Sequence, residues 1–183
     1  MKIRFSLYSL ALAFFILANF ASLPARADDG KENIVKAAFI FNFIKFVEWP
    51  DGKSLSKKSQ IDICVIGNSG IIKTSTFFSK ASSSKLAISL VSEQNIQNIS
   101  SHCHILFVSE SEDERWSDIF SAIKNQPVLT ISDDSGFIER GGMIGFTKDD
   151  NKVKIEVNKK AADSAGIKID SQLLEIAFRV IEK

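Results

Sequence analysis

Ile61-Asp62-Ile63-Cys64-Val65-Ile66-Gly67-Asn68-Ser69 decides how this chain folds. A short run of mostly β-branched residues stops at a glycine, and a turn-forming Asn-Ser follows. Such a run, bounded by a turn, predicts a strand buried on both faces. Strands of that kind belong to parallel sheets covered by helices. Further along the chain, residues 86–91, 103–108 and 127–132 repeat the signal, the second of these reading Cys-His-Ile-Leu-Phe-Val. Helical stretches separate the strands: a weak one over 69–80, a short turn over 93–99, and a firm one over 112–125. In the last, Trp116, Ile119, Phe120 and Ile123 recur at i, i+3, i+4 and i+7. The alternation predicts an α/β fold, a mostly parallel sheet with helices on both faces. Right-handed crossovers make 2-1-3-4 the simplest strand order.

Upstream of the first strand, residues 33–48 are apolar nearly all round, which predicts a central helix. At 100° per residue, Val35, Phe39, Phe43, Phe46 and Val47 share one face. Residues 28–32 read as a polar lead-in. Trp49-Pro50-Asp51-Gly52 ends the helix, and 53–60 is a Ser/Lys-rich loop. Downstream, Gly141-Gly142 leads into a strand over 143–148, and Asp149-Asp150-Asn151 is turn chemistry. Val153, Ile155 and Val157 then alternate with Lys152, Lys154 and Glu156. This predicts an antiparallel hairpin on the sheet edge. Asn158 caps a short helix that Gly166 closes. Asp170 or Ser171 caps a last helix, with Leu173, Leu174, Ala177, Val180 and Ile181 along one side.

The first 27 residues read as a secretory signal peptide. Lys2 and Arg4 form a positive start, an apolar stretch runs from Leu7 to Phe20, and Ala25-Arg26-Ala27 is a small-x-small cleavage pattern. The apolar stretch is shorter than the ~20 residues of a bilayer span. Residues 28–183 form one α/β domain on this reading, as no repeat or long linker divides them. Cleavage removes three basic residues and no acid, so the formal net charge of +1 becomes slightly negative. No basic excess remains for nucleic-acid binding, which relies on neutralising phosphates. The compartment is oxidising.

Five features bear on chemistry. Cys64 and Cys103 lie on neighbouring strands in a 2-1-3 order, about 4.8 Å apart, within reach of a disulfide. Two buried thiols packed as small apolar groups remain the alternative. His102-Cys103-His104 resembles a metal site, but successive strand residues face opposite ways, so the expectation is no metal. The same geometry sets Cys103 and His104 badly for nucleophilic catalysis. Gly67-Asn68-Ser69-Gly70 stands where phosphate loops stand but lacks their Lys-Ser/Thr, and reads as a βα turn. Asp133, Asp134, Glu139 and 149–151 are acidic loop residues that no spacing gathers into one cleft. The Phe-rich helix reads first as core. Any part reaching the surface would receive a partner through Phe39, Phe43, Phe46 and Trp49. With no convergent catalytic set and no implied cofactor, the expectation is a non-enzyme.

The run Val35-Lys36-Ala37-Ala38-Phe39-Ile40-Phe41-Asn42-Phe43-Ile44-Lys45-Phe46-Val47-Glu48-Trp49-Pro50 resembles the opening of the YfiR family of periplasmic regulators. The likeness continues through Ile63-Cys64-Val65-Ile66-Gly67, Cys103-His104-Ile105-Leu106-Phe107 and Pro127-Val128-Leu129-Thr130-Ile131-Ser132-Asp133. Gly141-Gly142-Met143-Ile144-Gly145-Phe146, Asn158 and Leu173-Leu174-Glu175-Ile176-Ala177 complete it. The resemblance implies a periplasmic protein that binds the periplasmic region of an inner-membrane diguanylate cyclase and represses it, lowering cyclic-di-GMP and holding back biofilm formation. It also implies a bridge between Cys64 and Cys103. Some members carry a second cysteine pair near the Gly-Gly strand, and this chain has none there. Another membrane sensor, such as a histidine kinase, is the alternative partner, and a homodimer stays open. A small-ligand protein using the cleft near 67–69 and 109–111 is the second reading. A thiol or hydrolytic enzyme using Cys64 or Cys103 is the third.

Overall fold

A computed structural model describes residues 26–50, 60–83 and 86–182. The expected signal peptide as far as residue 25, the end of the Trp-Pro-Asp-Gly turn and most of the loop after it lie outside the described residues. In chain order the elements are α1 (Arg26–Phe46), β1 (Val47–Glu48), β2 (Gln60–Ile66), α2 (Ser75–Ala81), β3 (Ala87–Ser92) and α3 (Ile99–His102). There follow β4 (Ile105–Val108), α4 (Trp116–Ala122), β5 (Leu129–Ser132), β6 (Ile144–Asp149) and β7 (Lys152–Asn158). The last are α5 (Lys159–Ser164), β8 (Lys168–Ile169), α6 (Ser171–Glu175) and β9 (Arg179–Ile181).

The four apolar runs pair in parallel in the order β3-β2-β4-β5, the 2-1-3-4 order expected from crossover rules. Ile63 sits beside Ile105, and Ile105 beside Leu129. Because side chains alternate, the central strands β2 and β4 feed two cores. Ile63, Val65, Ile105, Phe107, Leu129 and Ile131 join Ala37, Ile40, Phe43 and Ile44 of α1 on one side. Cys64, Ile66, Leu106 and Val108 join Ile99, Trp116, Ile119 and Phe137 on the other. That two-sided burial is why these strands show no polar alternation.

Several expectations need correction. The polar lead-in 28–32 is helical, since α1 begins at Arg26. The buried residues of α1 are Lys36, Ala37, Ile40, Phe43 and Ile44, whereas Val35 is exposed, so the helix, though apolar nearly all round, buries one side. Cys103 does not belong to a strand: it follows the helical turn α3, and β4 starts at Ile105. The firm helix divides into a 3-10 segment, Glu110–Arg115, and α4. Residues 144–158 do form a hairpin, turned by Asp150 and Asn151 at positive φ. Yet it is not the sheet edge. β6 extends the parallel sheet from β5, and β9 covers β7 in parallel. The last helix stops at Glu175. Phe178 then donates its N–H to the Ile155 carbonyl, and 179–181 run extended, with Arg179 held by Glu156 at 2.9 Å. Pairing with β7 overrides a helical pattern that is only local.

A separate two-stranded ribbon joins β1 to β8, with Val47 beside Ile169. Asp170 donates its backbone N–H to the Phe46 carbonyl at 2.8 Å, so the end of α1 is tied to a segment near the other end of the chain.

Candidate functional site

The carboxyl ends of β2, β4 and β5 open into a polar cleft of about 890 Å³. Open α/β sheets hold ligands at this end of their strands. The loops at 67–69 and 109–111 border it as expected, the first turns of α1 form one wall, and Lys148, Glu156 and Arg179 stand opposite. Gly67 has φ +87°, and a Cβ there would fall 2.7 Å from Ser111 Oγ and 2.9 Å from Ser109 Cβ. The close approach permits lacing between loops: Asn68 N–H donates to Ser111 Oγ at 3.0 Å and Ser109 Oγ–H donates to the Asn68 carbonyl at 3.1 Å. Ser69 N–H goes to the Gly67 carbonyl, and Ile71 N–H to Ser69 Oγ. These amides point into the loop itself, so the segment works as a βα turn rather than an anion cradle.

Charge organises the cleft. Lys36, whose side chain is only 8% exposed, lies 2.9 Å from Glu32 and 2.8 Å from Asp133. Lys148 reaches Glu32 at 2.7 Å. Burial pulls the Lys36 pKa down, but Asp133 and Glu32 outweigh it and hold the ammonium above its ordinary value. For Glu32, burial raises the pKa, and Lys148 with Lys36 brings the net below the ordinary carboxylate range. Asp133 Oδ1 is buried with no hydrogen-bond partner among the described residues. Asp134, next in sequence, turns away to accept from Trp116 Nε1–H at 2.9 Å and from Arg140. Glu139 pairs with Arg179, and 149–151 form the hairpin turn. The acidic loop residues are therefore dispersed, and only Asp133 lines the cleft.

Cys64 and Cys103 are disulfide-bonded, with Cα atoms 5.8 Å apart, and the chain has no other cysteine. Both are fully buried. A bridged sulfur is no resting nucleophile, so the thiol-enzyme reading fails. His104 is buried and accepts from Asp62 N–H through Nδ1 at 3.2 Å. His102 behaves otherwise. Because it ends a helical turn instead of sitting in a strand, its ring and both cysteine sulfurs lie within 4.8 Å of one another. The strand-alternation argument against convergence does not hold for this trio.

Of the four aromatic residues expected to meet a partner, Phe43 and Trp49 are core. Phe43 is fully buried against Phe39 and Phe146. Trp49 is 5% exposed and donates Nε1–H to the His104 carbonyl. Burial removes both from any partner surface. Phe39 and Phe46 are half-buried. Sequence reasoning passed over Lys36, Glu32, Lys148 and Arg179. The available signal was Lys36 itself, a charge inside an apolar helix.

A sequence model of one family, described as YfiR/HmsC-like, matches residues 33–178. No curated protein matches the chain. Among solved structures, an ABC domain from Streptococcus pneumonia in complex with L-Trp aligns at 15% identity and TM-score 0.53, covering 66% of this chain and 55% of that one. A conserved domain protein from Vibrio cholerae aligns at 15% identity and TM-score 0.51, covering 69% and 56%. The chain spans just over half the length of each. At this identity the likeness is one of α/β fold alone.

Proposed function

We propose, from the premise that this chain belongs to the YfiR/HmsC-like family, that it is a periplasmic regulator that binds the periplasmic region of an inner-membrane diguanylate cyclase and represses it. The family match over 33–178, which takes in most of α1 and the bridged core, is the observation that carries this reading. Repression follows from differential affinity: the protein shifts its receptor only as far as it prefers the inactive state. To move a receptor from almost wholly active to almost wholly inactive takes a preference of about 10⁴-fold. The contact side we assign is a flank of α1 beside the core, where Val35, Phe39 and Phe46 lie within a narrow arc at 100° per residue and the two phenylalanines are half-buried. Val35 is 42% exposed.

Deleting the protein from a strain shown to express it is expected to raise cyclic-di-GMP, and an unchanged level overturns the cyclase reading. In-cell crosslinking then names the receptor. A captured sensor kinase keeps the regulator and changes the pathway.

The cleft supports a second reading, a regulator that answers to a small polar solute. The orphaned Asp133 Oδ1 beside a buried lysine favours it. A rise in melting temperature across a set of periplasmic metabolites would mark binding.

A further inference from the structure

We infer that Cys64, Cys103 and His102 form a second site, a metal site that exists only when the bridge is reduced and that takes a thiophilic ion of the zinc(II) class. This goes beyond the regulator reading and does not rest on it. The two sulfurs and a ring nitrogen of His102 lie within 4.8 Å of one another. Donors around one zinc, at about 2.3 Å for sulfur and about 2.0 Å for nitrogen, stand roughly 4 Å apart, so the His102 nitrogen is already near coordination spacing from the sulfurs, which are bonded to each other and part on reduction. Different elements hold it: Cys64 is central in β2, while His102 and Cys103 end α3.

Glu93 completes the arrangement as a positioning residue. Its Oε1 accepts from the backbone N–H groups of Gln94 and Asn95 at 2.9 and 2.8 Å. Its Oε2 lies 3.5 Å from His102 Nε2. A carboxylate fixed by backbone donors and set against His102 Nε2 holds the ring in one orientation beside the sulfurs. The sulfurs are buried, whereas the His102 side chain is 39% exposed. A cation therefore enters from the His102 side, and water takes the fourth position.

The chemistry balances without further parts. A dithiol reductant gives two electrons and two protons to the Cys64–Cys103 bond and ends as its own disulfide, leaving two protein thiols. A divalent cation then displaces both thiol protons to solvent and accepts a lone pair from neutral His102. Bridge and metal exclude each other, because only the thiolate is a ligand.

The test uses the purified chain without its leader, reduced by a phosphine in water, desalted without oxygen and titrated with cobalt(II) in place of zinc. Far-UV circular dichroism is recorded throughout. The expected result is one equivalent bound, a thiolate-to-cobalt absorption band, strong visible bands of tetrahedral cobalt, and loss of all of them on adding zinc. Oxidised protein gives none of these. His102→Ala, at a half-exposed position, is expected to fold normally and weaken cobalt binding at least about tenfold, while Glu93→Gln weakens it less. Any of three results overturns the inference: no thiolate band in reduced, folded protein; equal affinity in His102→Ala; or loss of native circular dichroism on reduction alone.

Discussion

Gly142 has no room for a side chain. A Cβ there would overlap the ring of Phe137, itself buried and packed against Trp116 and Phe120. The ring has nowhere to go, so Gly142→Ala is expected to cost about 1–3 kcal/mol, read as a lower urea midpoint at unchanged slope. Lys36 is the other residue on which much turns. Lys36→Met leaves Asp133 and Glu32 without their buried partner, and about 3 kcal/mol of stability is expected to go. The pH profile follows from the signs. Glu32 is held below its ordinary 4.5, so its contribution is full above that value and fades as acid carries pH through the folded pKa. Lys36 is held above its ordinary 10.5, so its contribution is full below that value and fades as pH rises through the folded pKa. Melting temperature is expected to lie flat through neutrality and fall at both ends, with shallower ends in Lys36→Met. Steep acid and alkaline limbs retained in that variant would refute the assignment. Cys64 and Cys103 were legible because the chain offers no other pairing. The Lys36 network was not, because Asp133 lies 97 residues away and no local pattern joins them.

Among the elements, pairing decided what periodicity could not. The buried strands were readable from continuous β-branched runs, and their order from crossover handedness. The tail was misread because Leu173, Leu174 and Ala177 suit either a helix side or the start of a covered loop. Only the free edge of β7 settles where 179–181 go. The 102–103 junction was misread for a like reason: a four-residue helix such as α3 is too short to leave a periodic trace. The disulfide spans this junction and ties β2 to the lead-in of β4, strands already paired through Ile63 and Ile105. Replacing both cysteines by serine is therefore expected to keep the fold. It should lower stability by about 4 kcal/mol, the chain-entropy value for a loop of 39 residues, measured by guanidinium unfolding. A loss under about 1 kcal/mol would mean that the reduced, unfolded chain is already compact.

For the whole molecule, two cores share one sheet, and α1 closes the larger of them. That division was legible in outline, since alternating strand and helix signals imply a covered sheet. The cleft was legible as a location and not as a set of residues, because its walls come from α1, β6, β7 and β9 as well as from the loops. The β1–β8 ribbon carries a consequence for how the molecule assembles. A polypeptide emerges amino end first, so α1 is made well before residues 168–170. The strands that bury the core face of α1 lie between the two, but the end of the helix cannot be fastened until residue 170 has appeared. Through that interval the end of α1 stays untied, open to solvent or to whatever escorts unfinished proteins. The fastening of α1 thus waits on a segment more than a hundred residues further along the chain.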